Sequence, residues 1–165
     1  MKRFITMVLS CALFLGVTAC MPAAPTLEGG LKFAGPSKMS IVITQDDPLS
    51  AAIGGELSDQ GLPVIGVKQL NGVLNEKSLQ LSGMASMDEE KLLEAGKILH
   101  ADALVSVEAK KNLDGTIDEA LITLVGVKSE TVMGSFHYEN GRVKEKLKDS
   151  AKRIADAISR AVEKK

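Results

Sequence analysis

Both cysteines of this chain lie in its first twenty residues, at Cys11 and Cys20. Whatever residues 21–165 fold into must therefore be held by packing and backbone pairing, with no disulfide inside the domain. The residues before Cys20 explain the placement. Lys2 and Arg3 form a short basic start, Phe4 to Val17 is apolar, and small residues follow. A stretch of about fourteen residues is short of the roughly 20 needed to cross a bilayer as a helix. The layout is that of a cleaved secretory signal, and Cys11 leaves with it.

Val17-Thr18-Ala19-Cys20 resembles the lipobox read by lipoprotein signal peptidase. Val17, Thr18 and Ala19 are the recognition residues in that reading. Cys20 becomes the first residue of the mature chain, its thiol linked to diacylglycerol and the new amino terminus open to a palmitate-type acyl chain. Acylation also removes the liability of a lone thiol in an oxidising compartment. Met21 follows, where an aspartate would mark inner-membrane retention in enteric sorting. The expectation is the outer membrane, on its periplasmic face.

Cleavage before Cys20 leaves 146 residues, one domain in length. An apolar content of 45% against 25% charged residues is enough for a packed core. Losing Lys2 and Arg3 takes the formal charge from -1 to -3, so the basic face expected of a nucleic-acid binder is missing. The 18 residues from Met21 to Lys38 hold three prolines and three glycines and read as a flexible tether, with Leu27, Leu31 and Phe33 as candidates to dock on the domain.

The domain proper is expected over 39–165. Met39 to Thr44 is a short β-branched run, hence a buried strand. Asp47-Pro48 supplies an N-cap and a proline at the first helical position. Leu49, Ala52, Ile53 and Leu57 share a helical face, Gly61 stops the helix, and Leu62 to Val67 is a second strand. A helix over Asn71 to Ser82 ends at Gly83, and Ser86-Met87-Asp88-Glu89 has the spacing of a capping box for a third helix carrying Leu92, Leu93, Gly96 and Leu99. Then come strands at Asp102 to Ala109, Ile117 to Val127 and Glu130 to Tyr138, separated by the turns Asn112-Leu113-Asp114-Gly115-Thr116 and Lys128-Ser129. In the last strand Val132, Phe136 and Tyr138 are expected on one face. Asn140-Gly141 breaks the sheet. A final helix from Arg142 to Lys165 aligns Val143, Leu147, Ile154, Ile158 and Val162 in one apolar stripe. Helices between the early strands imply parallel crossovers, and late hairpins imply antiparallel pairs. The fold class is α/β: a mixed sheet of about five strands covered by three to four helices.

Several of these pieces, in this order, resemble the curli production assembly lipoprotein family, whose core is similar to the amino-terminal domain of TolB. The resemblance rests on Val73-Leu74-Asn75-Glu76 leading to Leu79-Gln80-Leu81-Ser82-Gly83. It rests most on Ala95-Gly96-Lys97-Ile98-Leu99-His100-Ala101-Asp102-Ala103-Leu104-Val105 at the helix-to-strand junction. Pore-forming members insert two long amphipathic hairpins, and a membrane strand needs about 9–11 residues. Lys110 to Thr116 and Lys128-Ser129 are too short for either. The resemblance thus implies a hairpin-less member. Such members include the lipoprotein of Pel-type exopolysaccharide secretion, which forms a periplasmic ring, and the lipoprotein activators of penicillin-binding proteins.

No enzymatic constellation is legible, and neither a cofactor nor a metal is expected. There is no Gly-x-Ser-x-Gly elbow and no phosphate-cradling glycine loop. His100 falls at a helix end, where its ring suits the exposed carbonyls, and His137 on a solvated sheet face. Asp88-Glu89-Glu90 suits a helix amino terminus, and Gly54-Gly55 suits close helix packing. One charge asymmetry stands out. Residues 142–165 hold nine basic against four acidic residues, and the rest of the mature chain nine against seventeen. Lys148, Lys152 and Arg153 are the candidate interaction surface. The expected partners are the membrane through the lipid, further copies of the chain, and export or cell-wall proteins of the outer membrane. The resemblance implies one of two functions: a ring-forming scaffold of an export apparatus, or a docking module that activates a periplasmic enzyme such as a peptidoglycan synthase.

Overall fold

A computed structural model describes residues 24–32, 38–76, 89–142 and 144–163. The elements in chain order are β1 (Thr26–Leu31), β2 (Ile41–Ile43), α1 (Pro48–Asp59), β3 (Val64–Ile65), α2 (Val67–Glu76), α3 (Glu89–Ile98), β4 (Ala103–Lys111), β5 (Ile117–Gly126), β6 (Thr131–Glu139) and α4 (Leu147–Glu163). They form a mixed six-stranded sheet in the order β1-β6-β5-β4-β2-β3. β2 is parallel to both β3 and β4, while β4, β5, β6 and β1 are antiparallel neighbours. The α/β class and the split between early parallel and late antiparallel pairing match the sequence.

The local causes are mostly those the residues suggest. Asp47 caps α1 in extended conformation, its carboxylate accepting from the Leu49 and Ser50 amides, with Pro48 first in the helix. β2 is three fully buried β-branched residues. α3 ends in a Schellman motif. The Ala101 amide reaches the Gly96 carbonyl at 3.0 Å, the His100 amide reaches that of Lys97 at 3.1 Å, and His100 takes the left-handed position at φ 52°.

Two cores lie on opposite sides of the sheet. α1 and α4 cover one side, enclosing Ile43, Ile53, Val105, Ile122, Phe136, Tyr138, Ile154 and Ile158. α2 and α3 cover the other side only near β2 and β4, around Val42, Leu70, Leu74, Leu93 and Leu104. The half of the sheet made by β5, β6 and β1 has no helix on that second side among the described residues.

Five expectations need correction. The stretch expected to be a tether contains a strand. β1 pairs along its length with β6, Leu27 and Leu31 pack on the main core, and the sheet gains a sixth strand. The non-local reason is a pair of glycines: a Cβ on Gly29 would collide with the Ser135 backbone, and one on Gly134 with the Gly30 carbonyl. β3 is only two residues long, and Val67 already belongs to α2, which ends at Glu76 within the described residues. Residues 77–88, including the expected helix end at Gly83 and the start of the capping box, lie outside the described residues. Val132 does not share a face with Phe136 and Tyr138. A bulge between Leu124 and Val125 admits Met133 to the core and turns Val132 to the open side. Finally, α4 starts at Leu147 rather than Arg142. The Asn140 side chain holds the intervening segment, donating to the Ile117 carbonyl at 2.7 Å and accepting from the Glu145 amide at 3.1 Å. Leu147, Ile154, Ile158 and Val162 lie along the packing face, and Val143 is outside the described residues.

Candidate functional site

Val17, Thr18, Ala19 and Cys20 lie outside the described residues, and the first described strand after them is β1. Thr26 opens β1 opposite Glu139 of β6. Five residues, six Cα-to-Cα steps, separate Cys20 from Thr26. Even fully extended they reach only about 20 Å. A lipid on Cys20 would thus be joined to the edge of a folded sheet by a short link.

The three basic residues named from sequence do not form one free patch. Lys148 and Lys152 are exposed along α4. Arg153 is engaged within the domain: its guanidinium pairs with Glu145, Nε donating to Oε2 at 3.2 Å. That bond, ahead of other effects, raises the affinity of the guanidinium for its proton. The Tyr138 hydroxyl reaches the same carboxylate at 3.4 Å and the Ser150 hydroxyl at 2.8 Å. The cluster ties the segment before α4 to β6, and its role is structural.

Sequence reasoning missed the open side of the sheet, because the positions of α2 and α3 decide it. One row across it reads Glu108, Leu121, His137 and Glu28 on four successive strands. The next reads Lys110, Glu119, Glu139 and Thr26. Leu121 is 41% exposed and Val132 47%, apolar area that helices cover elsewhere. His137 Nε2 lies 2.8 Å from Glu119 Oε1 on the exposed surface. Beside α3 the surface sinks into a groove of about 650 Å³ lined by Gln45, Glu89, Ser106, Thr123, Val125 and Val132. Gln45 is fixed there, donating to the Ser106 hydroxyl and accepting from the Val107 amide, both at 2.9 Å.

Among the described residues, no buried side-chain nitrogen or oxygen lacks a hydrogen-bond partner and no cluster of His, Cys, Asp and Glu could hold a metal. No helix among them is long and apolar enough to cross a membrane. The exposed surfaces include an acidic, partly apolar sheet face on one side and a helix with exposed lysines on the other.

No family model and no curated protein matches the chain. Among solved structures the chain is similar to a PelC dodecamer from Paraburkholderia phytofirmans, at 16% identity over 82% of this chain and 96% of that one, with a TM-score of 0.49. It is also similar to the LpoB C-terminal domain from Salmonella enterica, at 12% identity over 61% and 80% of the two chains, with a TM-score of 0.49. A third similarity is to lipoprotein GNA1162 from Neisseria meningitidis, at 18% identity over 66% and 85%, with a TM-score of 0.42.

Proposed function

We propose that this chain is a periplasmic lipoprotein of the outer membrane, anchored through Cys20, and a non-catalytic scaffold or ring-forming part of an envelope export or assembly apparatus. The observation that carries the reading is the short link between Cys20 and β1. A domain held within about 20 Å of its lipid works at the membrane surface. An activator of an inner-membrane enzyme would have to cross the peptidoglycan, and a link of that length is little for the task.

The two contact surfaces suit head-to-tail assembly. A ring needs two different patches that meet between neighbours. The open sheet face, with Glu28, Glu108, Leu121 and Val132, lies on the side opposite α4, with its exposed Lys148 and Lys152. Single surface ion pairs contribute roughly 0–1 kcal/mol, so Leu121 and Val132 must supply part of the affinity. Confinement to one plane raises the effective concentration of neighbours.

The test is chemical crosslinking of the acylated chain on liposomes at increasing surface density. Oligomers are expected, weakened by Lys148→Glu with Lys152→Glu and restored by adding Glu28→Lys and Glu108→Lys. Monomer at every density would overturn the scaffold reading and favour the docking module.

A further inference from the structure

The end of the sheet nearest the anchor carries a feature that self-assembly does not use. β1 leaves Thr26 backwards toward Cys20 from the same end at which β4 turns into β5, since Thr26, Glu139, Glu119 and Lys110 stand in one row. The hairpin tip projects beyond that row, Leu113 being three residues past Lys110. The tip is rigid. The Gly115 amide donates to the Asn112 carbonyl at 3.0 Å, the Asn112 amide to the Thr116 carbonyl at 2.9 Å, and Gly115 takes φ 80°. Asp114 Oδ1 accepts from the Thr116 amide at 3.0 Å and from its hydroxyl at 2.6 Å. These polar groups are thereby satisfied within the turn. The Leu113 side chain is left fully in solvent at 110% exposure, while the other exposed large hydrophobics among the described residues are at most 47% exposed.

A lone exposed leucine is ordinary on a protein surface. Its position here is what matters. Strands lie about 4.8 Å apart, so the β4–β5 tip stands roughly 12 Å sideways from the line of β1. That is within the reach of the link to Cys20. The segment between β6 and α4 opens at the same end, and its exposed Arg142 and Lys146 make no ion pair among the described residues. Lys110 and Lys111 flank the turn, Lys111 lying 3.6 Å from Asp47.

The geometry points to a second membrane contact beside the lipid anchor: Leu113 enters the headgroup–acyl boundary of the phospholipid leaflet that holds the Cys20 lipid, with Arg142, Lys146 and Lys110 facing anionic headgroups. This rests on the reading of Cys20 as the acylated residue. The lipid supplies retention, and the hairpin supplies orientation, standing the strands on end so that the α4 face and the open sheet face both point sideways toward neighbours. Asp114 and the shortness of the turn limit the contact to the boundary region.

The experiment uses the acylated full-length mature protein on vesicles of phosphatidylethanolamine and phosphatidylglycerol. Leu113→Cys takes an environment-sensitive fluorophore, and Lys128→Cys takes the same label at the far end of the sheet as a control. The expected result is a blue-shifted Leu113 signal quenched by shallow doxyl lipids, with the Lys128 signal unaffected. Arg142→Glu with Lys146→Glu should weaken the quenching. Protein that floats with the vesicles but gives an unquenched Leu113 label overturns the hairpin contact and leaves the anchor reading intact. Protein that neither floats nor carries the acyl mass overturns both.

Discussion

Gly134 of β6 and Gly30 of β1 lie so close that a Cβ on Gly134 would collide with the Gly30 carbonyl oxygen. The first strand is thereby fitted to its neighbour by the absence of a side chain. Gly134→Ala is expected to release β1 while leaving the β4–β5–β6 meander in place. Hydrogen exchange should show the amides of Thr26–Leu31 losing protection before those of β5. Uniform protection in the variant would mean that β1 docks without this contact.

The single tyrosine gives a pH test. Burial raises the Tyr138 phenol above its ordinary value of 10.0, with the bond to Ser150 opposing in part. A folded-state value above the unfolded one means that this stabilisation is complete below pH 10 and lost as pH rises through the folded value. Denaturant midpoints of the native protein should therefore fall above pH 10 in step with tyrosinate absorbance. Tyr138→Phe should remove that step and lower stability near neutrality by about 1 kcal/mol through loss of the Ser150 bond.

The two cores allow an additivity test. Leu104 is 4% exposed in the core under α2 and α3, and Ile154 is fully buried in the core under α4. Each change to alanine should cost about 2–5 kcal/mol. Because the two side chains belong to separate clusters, the double variant should lose the sum within about 0.5 kcal/mol. Urea unfolding with a large coupling term would contradict the two-core arrangement.

His100 holds a left-handed backbone that disfavours L-residues by roughly 1–2 kcal/mol. His100→Gly should raise the melting temperature by the equivalent of up to about 1 kcal/mol, since glycine also adds unfolded-state entropy. A lower melting temperature would show that the imidazole itself stabilises the helix end.

What could be seen in the sequence was what short-range chemistry decides. Asp47-Pro48 had one sensible role, the 112–116 turn announced itself through Asn, Asp and Gly, and Ile154, Ile158 and Val162 marked the packing face of α4. The errors were non-local. β1 looked like linker because its partners, Ser135 and Gly134, stand over a hundred residues away. Val132 was misplaced by a bulge with no residue signature, and the start of α4 by one Asn140 side chain. Of the site, Cys20 and the residues before it lie outside the described residues, and their reading rests on the sequence pattern. Arg153 was named as interaction surface, but Glu145, whose amide is held by the Asn140 side chain, pairs with it. The sheet face left uncovered among the described residues depended on the positions of α2 and α3.

The most direct measurement is the intact mass of the native protein extracted from membranes, beside Cys20→Ala. The wild-type chain is expected to begin at Cys20 and carry a diacylglyceryl thioether, and the variant to lose both the lipid and membrane retention. A wild-type mass equal to unmodified residues 1–165, or a mature chain beginning elsewhere without lipid, would contradict the anchored domain on which the proposed function rests.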